Sequence, residues 1–331
     1  MRLAFSIIIP VYNVEPYLPA CMESVIPVLE DADEIILSLG KSTDRSGESA
    51  RRYAEEYPGV KLTVQDGTGL SNARNCALRQ AKGDFVLFVD SDDFVDTETL
   101  KSLLGKMRGG VYRADVVMTD FYRYYETTGK SQLTSQIGSR ELVGLDSLPL
   151  IAAKRQSFWN VWRSVYRKAF LEKHQLYFRE SAHAEDVDFT TRLFLSEPDI
   201  LFVNAPYYYY RFGREGSLMN SVRYSRVADT VSALSEAVWR LRSCESGWSK
   251  VIMSRFQFEY ILSMALAQEV PPQEREAALR LFGDYRRILS PTEDLAVAAV
   301  RRFLQIAGTG IASRLLLLAK AVKRKREHRT L

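Results

Sequence analysis

The chain has 331 residues, 46% hydrophobic and 26% charged, an ordinary globular composition too long for one average domain, which predicts two domains or one domain with an appendage. Three widely spaced cysteines, Cys21, Cys76 and Cys244, form no CxxC pair, so neither a disulfide framework nor a zinc site is indicated and a reducing cytoplasm fits best. The net charge of +4 sits at the end of the chain: residues 301–331 hold nine Lys or Arg and one acid, leaving 36 basic and 40 acidic groups elsewhere, which argues against a nucleic-acid-binding body.

The chain begins with MRLAFSIIIP, an apolar run stopped by Pro10 with no small-residue cleavage site, so residues 3–9 read as a buried strand and not as a signal peptide. Tyr17, Leu18, Cys21, Met22, Val25, Ile26 and Leu29 then recur at the 3.6-residue period of a helix. Strands are predicted at 34–39 and 60–65, joined by the turn GKSTDRS and a helix through residue 57 that Asp44 or Ser46 caps. The sequence DGTG at 66–69 breaks the third strand, and Leu70, Ala73, Ala77 and Ala81 line a helix that Gly83 terminates. Next comes the unbroken apolar run 85–89, which suits a strand covered on both faces and stops at Asp90, Asp92 and Asp93. Strands and helices alternating at this spacing predict an α/β fold with a doubly wound parallel sheet.

Further along, 97–107 reads as a helix, 114–122 as a strand and the polar stretch 129–148 as a loop or excursion. WNVWRSVYRK at 159–168 mixes aromatic and basic residues and reads equally as core or as a sugar-facing patch. HAEDVDFTTRLFLS opens a helical pattern with acids, 201–203 is a short strand, PYYYYRFGREGS follows, and helices fill the chain from about 225. Nothing approaches eighteen uninterrupted apolar residues, so no transmembrane span is expected.

The acids of DFVLFVDSDDFVD lie just past the carboxyl end of a strand, the edge at which open α/β sheets bind ligands. Asp90 and Asp92, two residues apart in extended chain, can face one side and offer hard oxygens to Mg²⁺ or Mn²⁺, ions that commonly take substrate phosphates as further ligands. An acidic turn without chemistry is the plainer alternative. An EF-hand does not fit, because Phe94 occupies a ligand position.

Four segments, FSIIIPVYNVEPYL, EIILSLGKSTDRS, GLSNARNCAL and DFVLFVDSDDFVD, occur in the order and spacing of the family 2 glycosyltransferases, and the chain resembles that family from residue 3 to about 220. The resemblance implies a GT-A fold: a Rossmann-like mixed, mainly parallel sheet flanked by helices. Residues 1–220 would form the glycosyltransferase domain (1–125 the nucleotide-sugar half, 126–220 the acceptor half), with 221–331 a helical C-terminal region. It also implies inverting, metal-dependent transfer from a nucleoside-diphosphate sugar, a UDP-sugar first, to a glycan or lipid-linked acceptor in surface polysaccharide synthesis; a catalytically inactive sugar-nucleotide-binding module is the alternative.

By the same resemblance, Pro10, Tyr12, Asn13 and Glu15 match the loop that wraps the nucleotide, and Arg74 matches an arginine that contacts the donor. Asp92 matches the direct metal ligand and Asp90 a neighbour of metal, ribose or sugar, while Arg211 and Arg214 match a segment that closes over the diphosphate. Asp186 matches the catalytic base, with Glu185 or Asp188 able to substitute. A helix amino end would keep Asp186 ionised, and a capping acid without chemistry is its alternative. Where most relatives read DDGSTD, this chain has Leu39, Gly40 and Lys41 before Ser42, so the acid that usually reads the base is missing, and Asp66 or a backbone carbonyl is expected to read it with weak discrimination. The processive-synthase QxxRW motif is absent. In the tail, Ile311, Leu315, Leu318, Ala319 and Val322 recur at helical spacing among Arg314, Lys320, Lys323, Arg324, Lys325 and Arg326, which suits a basic amphipathic helix on the inner face of a membrane, or leucines packed on the catalytic domain.

Overall fold

The computed structural model describes residues 3–153, 157–180, 184–213, 223–290 and 292–330, the stretch 321–330 by its backbone, and divides into two compact units, Met1–Arg214 and Glu215–Leu331. The first unit opens with β1 (Phe5–Val11), α1 (Leu18–Val25), β2 (Glu34–Leu39), α2 (Ser46–Glu56), β3 (Val60–Val64), α3 (Gly69–Gln80) and β4 (Phe85–Phe88). It continues with β5 (Phe94–Val95), α4 (Thr97–Arg108), β6 (Val116–Tyr125), β7 (Lys130–Thr134), β8 (Leu142–Val143) and α5 (Leu148–Ala153). The unit closes with β9 (Ser164–Arg167), α6 (Lys168–Lys173), α7 (Glu185–Leu195) and β10 (Ile200–Phe212).

All ten strands form one sheet in the order β3-β2-β1-β4-β9-β6-β10-β5, with β7 on β6 and β8 on β10. The long pairings β3–β2, β2–β1, β1–β4 and β6–β10 are parallel. β9 is inserted antiparallel between β4 and β6, and β5, β7 and β8 are short antiparallel additions. The sheet is therefore mixed and mostly parallel, with helices flanking it. Chain order reverses at β1, whose neighbours β2 and β4 lie on opposite sides, and such a switch point opens a crevice at the carboxyl ends of the strands. The strands can be so apolar because helices cover them: Ile7, Ile9, Ile35 and Leu37 are buried with Leu18, Met22 and Val25 of α1 and Leu100, Leu103 and Leu104 of α4.

Several expectations change. Residues 17–29 do not form one helix, because Pro27 lacks an N–H to continue it and the chain tightens into a 3₁₀ turn at Ile26–Val28. The polar excursion 129–148 contains β7, β8 and the start of α5. β7 is polar because it is an outlying strand exposed over four of its five residues, so period-2 hydrophobicity is missing. The short strand at 201–203 is instead the start of the 13-residue β10, which crosses Asn204–Pro206 by a shift in register between Val203 and Tyr208. Gly83 does not cap α3; it lies against β1, where a Cβ would meet Ser6 N at 2.6 Å and the Phe5 carbonyl carbon at 2.7 Å.

The second unit is helical: α8 (Tyr224–Leu241), α9 (Gly247–Ser263), α10 (Arg275–Asp284) and α11 (Leu295–Thr330). Val231, Leu234, Val238, Ile252, Phe256, Tyr260 and Phe282 are buried in it, and Tyr260 Oη donates to the Phe282 carbonyl at 2.5 Å. α11 is broken at Gly308, whose φ of 74° and ψ of 168° are not helical. Against the expectation of no membrane-spanning stretch, Leu295–Lys320 is by length and composition alone apolar enough to cross a membrane. The expectation required an uninterrupted apolar run, whereas this stretch carries scattered arginines among apolar residues.

The close approach of Gly83 to backbone atoms makes a defined prediction. Gly83→Ala should cost about 1–3 kcal/mol or more, because the β1 backbone cannot move aside without breaking its pairings with β2 and β4. Denaturant unfolding checks this, and a midpoint equal to that of the parent chain would contradict it.

Candidate active site

At the switch point, the loops after β1 and β2 are tied to each other by side chains. Asn13, at φ 50°, accepts from Thr43 N at 2.8 Å through its Oδ1 and donates its own N–H to Ser42 Oγ at 3.2 Å. Glu15 accepts from Arg45 N and Arg45 Nε at 3.0 and 2.7 Å, while Asp44 accepts from Glu15 N and from Ser46. Asn13 and Glu15 thus shape the loop, and Tyr12 is left 57% exposed at the end of β1. Pro10 lies within β1 itself, opposite Ser38 of β2.

The acids after β4 form a turn, closed by Asp93 N donating to the Asp90 carbonyl at 3.0 Å, rather than an extended strand end. Asp93 points inward and is almost fully buried, accepting from Tyr208 Oη at 2.7 Å and from Arg211 N at 2.7 Å. Tyr208 Oη in turn accepts from Asp90 N at 3.1 Å. Burial, with Asp92 and Asp90 adding to it, holds the Asp93 carboxyl well above the usual carboxylate range. Arg211 sits beneath the turn: its Nε donates to the Asp92 carbonyl at 2.8 Å, its Nη1 pairs with Glu126, and its guanidinium lies over the rings of Tyr17, Phe94 and Tyr124. It therefore braces the acid turn. Arg214 lies outside the described residues.

Arg74, in the middle of α3 and 1% exposed, is the centre of the site. Its Nη2 pairs with Asp90 Oδ1 at 2.9 Å, and its Nη1 pairs with both Glu185 Oε1 and Asp186 Oδ1 at 3.0 Å. Burial opposes the charge on Arg74, but Asp90, Asp186 and Glu185 more than offset it and raise its pKa further. Asp186 stands in the first turn of α7 and accepts a weak bond from Val161 N at 3.4 Å. It does not cap that helix, whose start at Ala184 has no side-chain cap bond. The helix end was expected to keep Asp186 ionised; burial instead pushes its carboxyl up to about 7 against the pull of Arg74, with Glu185 and Asp90 adding to the rise. Asp188 is paired with Arg192 and Arg179, so its carboxylate is engaged away from this cluster.

Asp66, expected near the base, is held by Asn72 Nδ2 at 2.8 Å, Cys76 Sγ at 3.1 Å and Arg79 at 3.4 Å. The aromatic stretch 159–168 splits: Trp162 is buried and stacks on Tyr208 at 4.3 Å and on Tyr210 at 5.6 Å, while Trp159 is half-buried. The bridge between Asp93 and Tyr208 and the bracing role of Arg211 were missed from sequence. The sequence reading ends the strand at 203, before the four tyrosines of PYYYYRF, although a run of aromatic residues is itself a strand signal.

Among the described residues no three carboxylate, imidazole or thiol groups converge into a cage for a metal. The half-buried carboxylates of Asp90, one oxygen of which pairs with Arg74, and Asp92, with Asp93 turned away, would suit a hard divalent cation that takes its remaining ligands from water and a phosphorylated substrate.

Residues 6–179 match the family model described as glycosyl transferase family 2. The chain is 30% identical over 210 residues to the uncharacterized glycosyltransferase EpsJ of Bacillus subtilis (strain 168), covering 62% of this chain and 60% of that protein. It spans less than two thirds of the length of the curated relatives it matches first. The crystal structure of S. aureus TarS residues 1–349 in complex with UDP-GlcNAc superposes with a TM-score of 0.73 at 21% identity, covering 97% of this chain and 92% of that one. The mannosyltransferase PcManGT from Pyrobaculum calidifontis, in complex with GDP-Man and Mn²⁺, superposes with a TM-score of 0.55 at 17% identity, covering 98% and 87%. At these identities the two structures establish the GT-A fold.

Proposed function

Because the chain belongs to glycosyl transferase family 2, we propose that it transfers a sugar, with inversion, from a nucleoside-diphosphate sugar to a hydroxyl of a glycan or lipid-linked glycan during surface polysaccharide assembly. The observation that carries this reading is Arg74, which binds the acid turn after β4 with one nitrogen and the acids at the start of α7 with the other. A donor-side group and an acceptor-side base are thereby held within one guanidinium of each other. A UDP-sugar is the first donor to test, since TarS was crystallised with UDP-GlcNAc.

In this mechanism Asp186 takes the proton of the acceptor hydroxyl as its oxygen attacks the anomeric carbon and the diphosphate departs. Asp92 and Asp90 would hold Mg²⁺ or Mn²⁺, which when bound neutralises charge on the diphosphate. Arg74 keeps Asp186 aimed and lowers the proportion of its neutral form, while burial keeps it basic enough to accept a proton near neutrality. The full set of Asp90, Asp92, Arg74 and Asp186 speaks against the inactive binding module.

The same reading includes a peripheral contact at the inner face of a membrane. Leu295, Phe303 and Ile306 before the Gly308 break, and Ile311, Leu315 and Leu318 after it, are exposed, and the sequence that follows is rich in Lys and Arg. Apolar side chains beside cations suit an interface of acyl chains and anionic headgroups.

Three outcomes are expected. Asp186→Asn should lower transfer by about 10²-fold or more with donor affinity retained. Since only the ionised carboxylate can act as base, the parent rate should climb with pH through about 7 and level off above it, and the variant should lose that limb. An equal collapse of donor affinity would move Asp186 to the donor side. Second, Mn²⁺ with UDP should raise the thermal midpoint of the parent chain, and Asp92→Ala should abolish the increment that depends on metal. A metal-dependent increment that survives in the variant would remove Asp92 from the metal site. Third, the full chain should co-sediment with anionic vesicles at low salt and much less at high salt, while a chain ending at Ala307 should not; equal pelleting of the two chains would reject the anchor.

A further inference from the structure

The carboxyl ends of β1, β2 and β3 enclose a small corner that the catalytic residues do not use. Its floor is the exposed ring of Tyr12. Its back is the bare backbone of Gly40, fixed by Gly40 N donating to the Val11 carbonyl at 2.9 Å. A Cβ placed there would lie 3.1 Å from Tyr12 Cδ2 and 3.3 Å from Gln65 Nε2, so the ring and the carboxamide of Gln65 flank the glycine with no side chain between them. Gln65 is itself pinned by its backbone, its N–H donating to the Leu39 carbonyl at 3.1 Å.

The polar side chains around this corner are nearly all committed. Asn13 is bound to Thr43, Glu15 to Arg45, Asp44 to Ser46, and Asp66 and Asn72 to each other. Lys41 extends into solvent. Among these carboxylates and carboxamides, Gln65 is the one that makes no side-chain hydrogen bond to a described residue, and it is half-buried beside an open aromatic face. A flat ring next to an unspent donor and acceptor is complementary to a heteroaromatic base, which stacks on the first and pairs along its edge with the second.

Resting on the donor reading above, we infer that Gln65 reads the base of the nucleotide donor, and that this site discriminates weakly among bases. A carboxylate only accepts, so it favours an edge with a ring N–H, as in uracil or guanine, and repels the bare ring nitrogen of cytosine or adenine. A carboxamide both donates and accepts, and a half-turn about its terminal bond complements either kind of edge. Gly40 leaves the corner without a carboxylate to impose the choice, and Asp66, which was expected to do so, has its carboxylate engaged by Asn72, Cys76 and Arg79.

Calorimetric titration of the full chain with UDP, GDP, CDP and ADP in the presence of Mn²⁺ tests this. The parent chain should bind all four within about tenfold of one another. Gln65→Leu should weaken each by about tenfold, the scale of one or two lost hydrogen bonds, with the affinity for inorganic diphosphate unchanged. Gln65→Glu, nearly isosteric, should favour UDP and GDP over CDP and ADP by about tenfold, a change of ratio that loss of structure would not produce. A parent preference for one base above about a hundredfold, or affinities for all four untouched in Gln65→Leu, would overturn the inference while leaving the donor reading in place. Failure of all four to bind the parent chain would instead overturn the donor reading, and the role of Gln65 with it.

Discussion

A guanidinium withdrawn from water among three carboxylates governs this site. Isolated, Arg74 could not be buried as an ion, and Asp90, Glu185 and Asp186 could not approach one another as anions; each condition is met only because the other is. The arrangement crosses the fold, since Arg74 belongs to α3, Asp90 follows β4 and the other two acids begin α7. Removing one partner from such a cluster typically costs several kcal/mol because a buried charge is left uncompensated. The two segments that would meet donor and acceptor are in this way fixed relative to each other before any ligand arrives.

The second layer is aromatic. Tyr208 both donates to Asp93 and accepts from Asp90, and its ring is stacked on Trp162, which is packed edge-on against Phe121. The acid turn therefore rests on β10 through a hydroxyl whose position is fixed by ring packing. Arg211 completes the support by binding the Asp92 carbonyl from a cradle of three rings. Burial holds the Asp93 carboxyl well above the usual carboxylate range, and both of its oxygens accept hydrogen bonds, so it serves the turn as a hydrogen-bonding post while Asp90 pairs with Arg74.

How much of this was legible in the sequence depended on whether the information was local. β2 was read to the residue and α3 and α4 to within a few, because burial on both faces and a 3.6-residue period are written in neighbouring side chains. The excursion at 129–148 was not, because an outlying strand needs no hydrophobic alternation. β10 was cut short at Asn204–Pro206, where local rules end a strand but pairing with β6 carries the backbone through a register shift. The acids and Arg74 were singled out as residue types, yet their mutual pairing joins positions 16 and 112 residues apart, and no periodicity reports that. The side chains of Asn13, Glu15 and Asp66 bond to neighbouring loop residues, pairings between separate segments that the sequence does not spell out.

Asp186 carries the tension that makes such a site useful. A helix amino end and an arginine favour its anion, whereas burial and the neighbouring acids favour its neutral form, and burial prevails far enough to bring it to about 7. A carboxylate left at its ordinary acidity would be ionised but too weak to take a proton from a hydroxyl, and one buried without Arg74 would remain protonated and inert. The cost of crowding Asp90, Glu185 and Asp186 around the guanidinium of Arg74 falls on the free protein. Three carboxylates against one guanidinium leave an excess of negative charge at the carboxyl end of β4 and at the start of α7, the kind of local field that attracts cations.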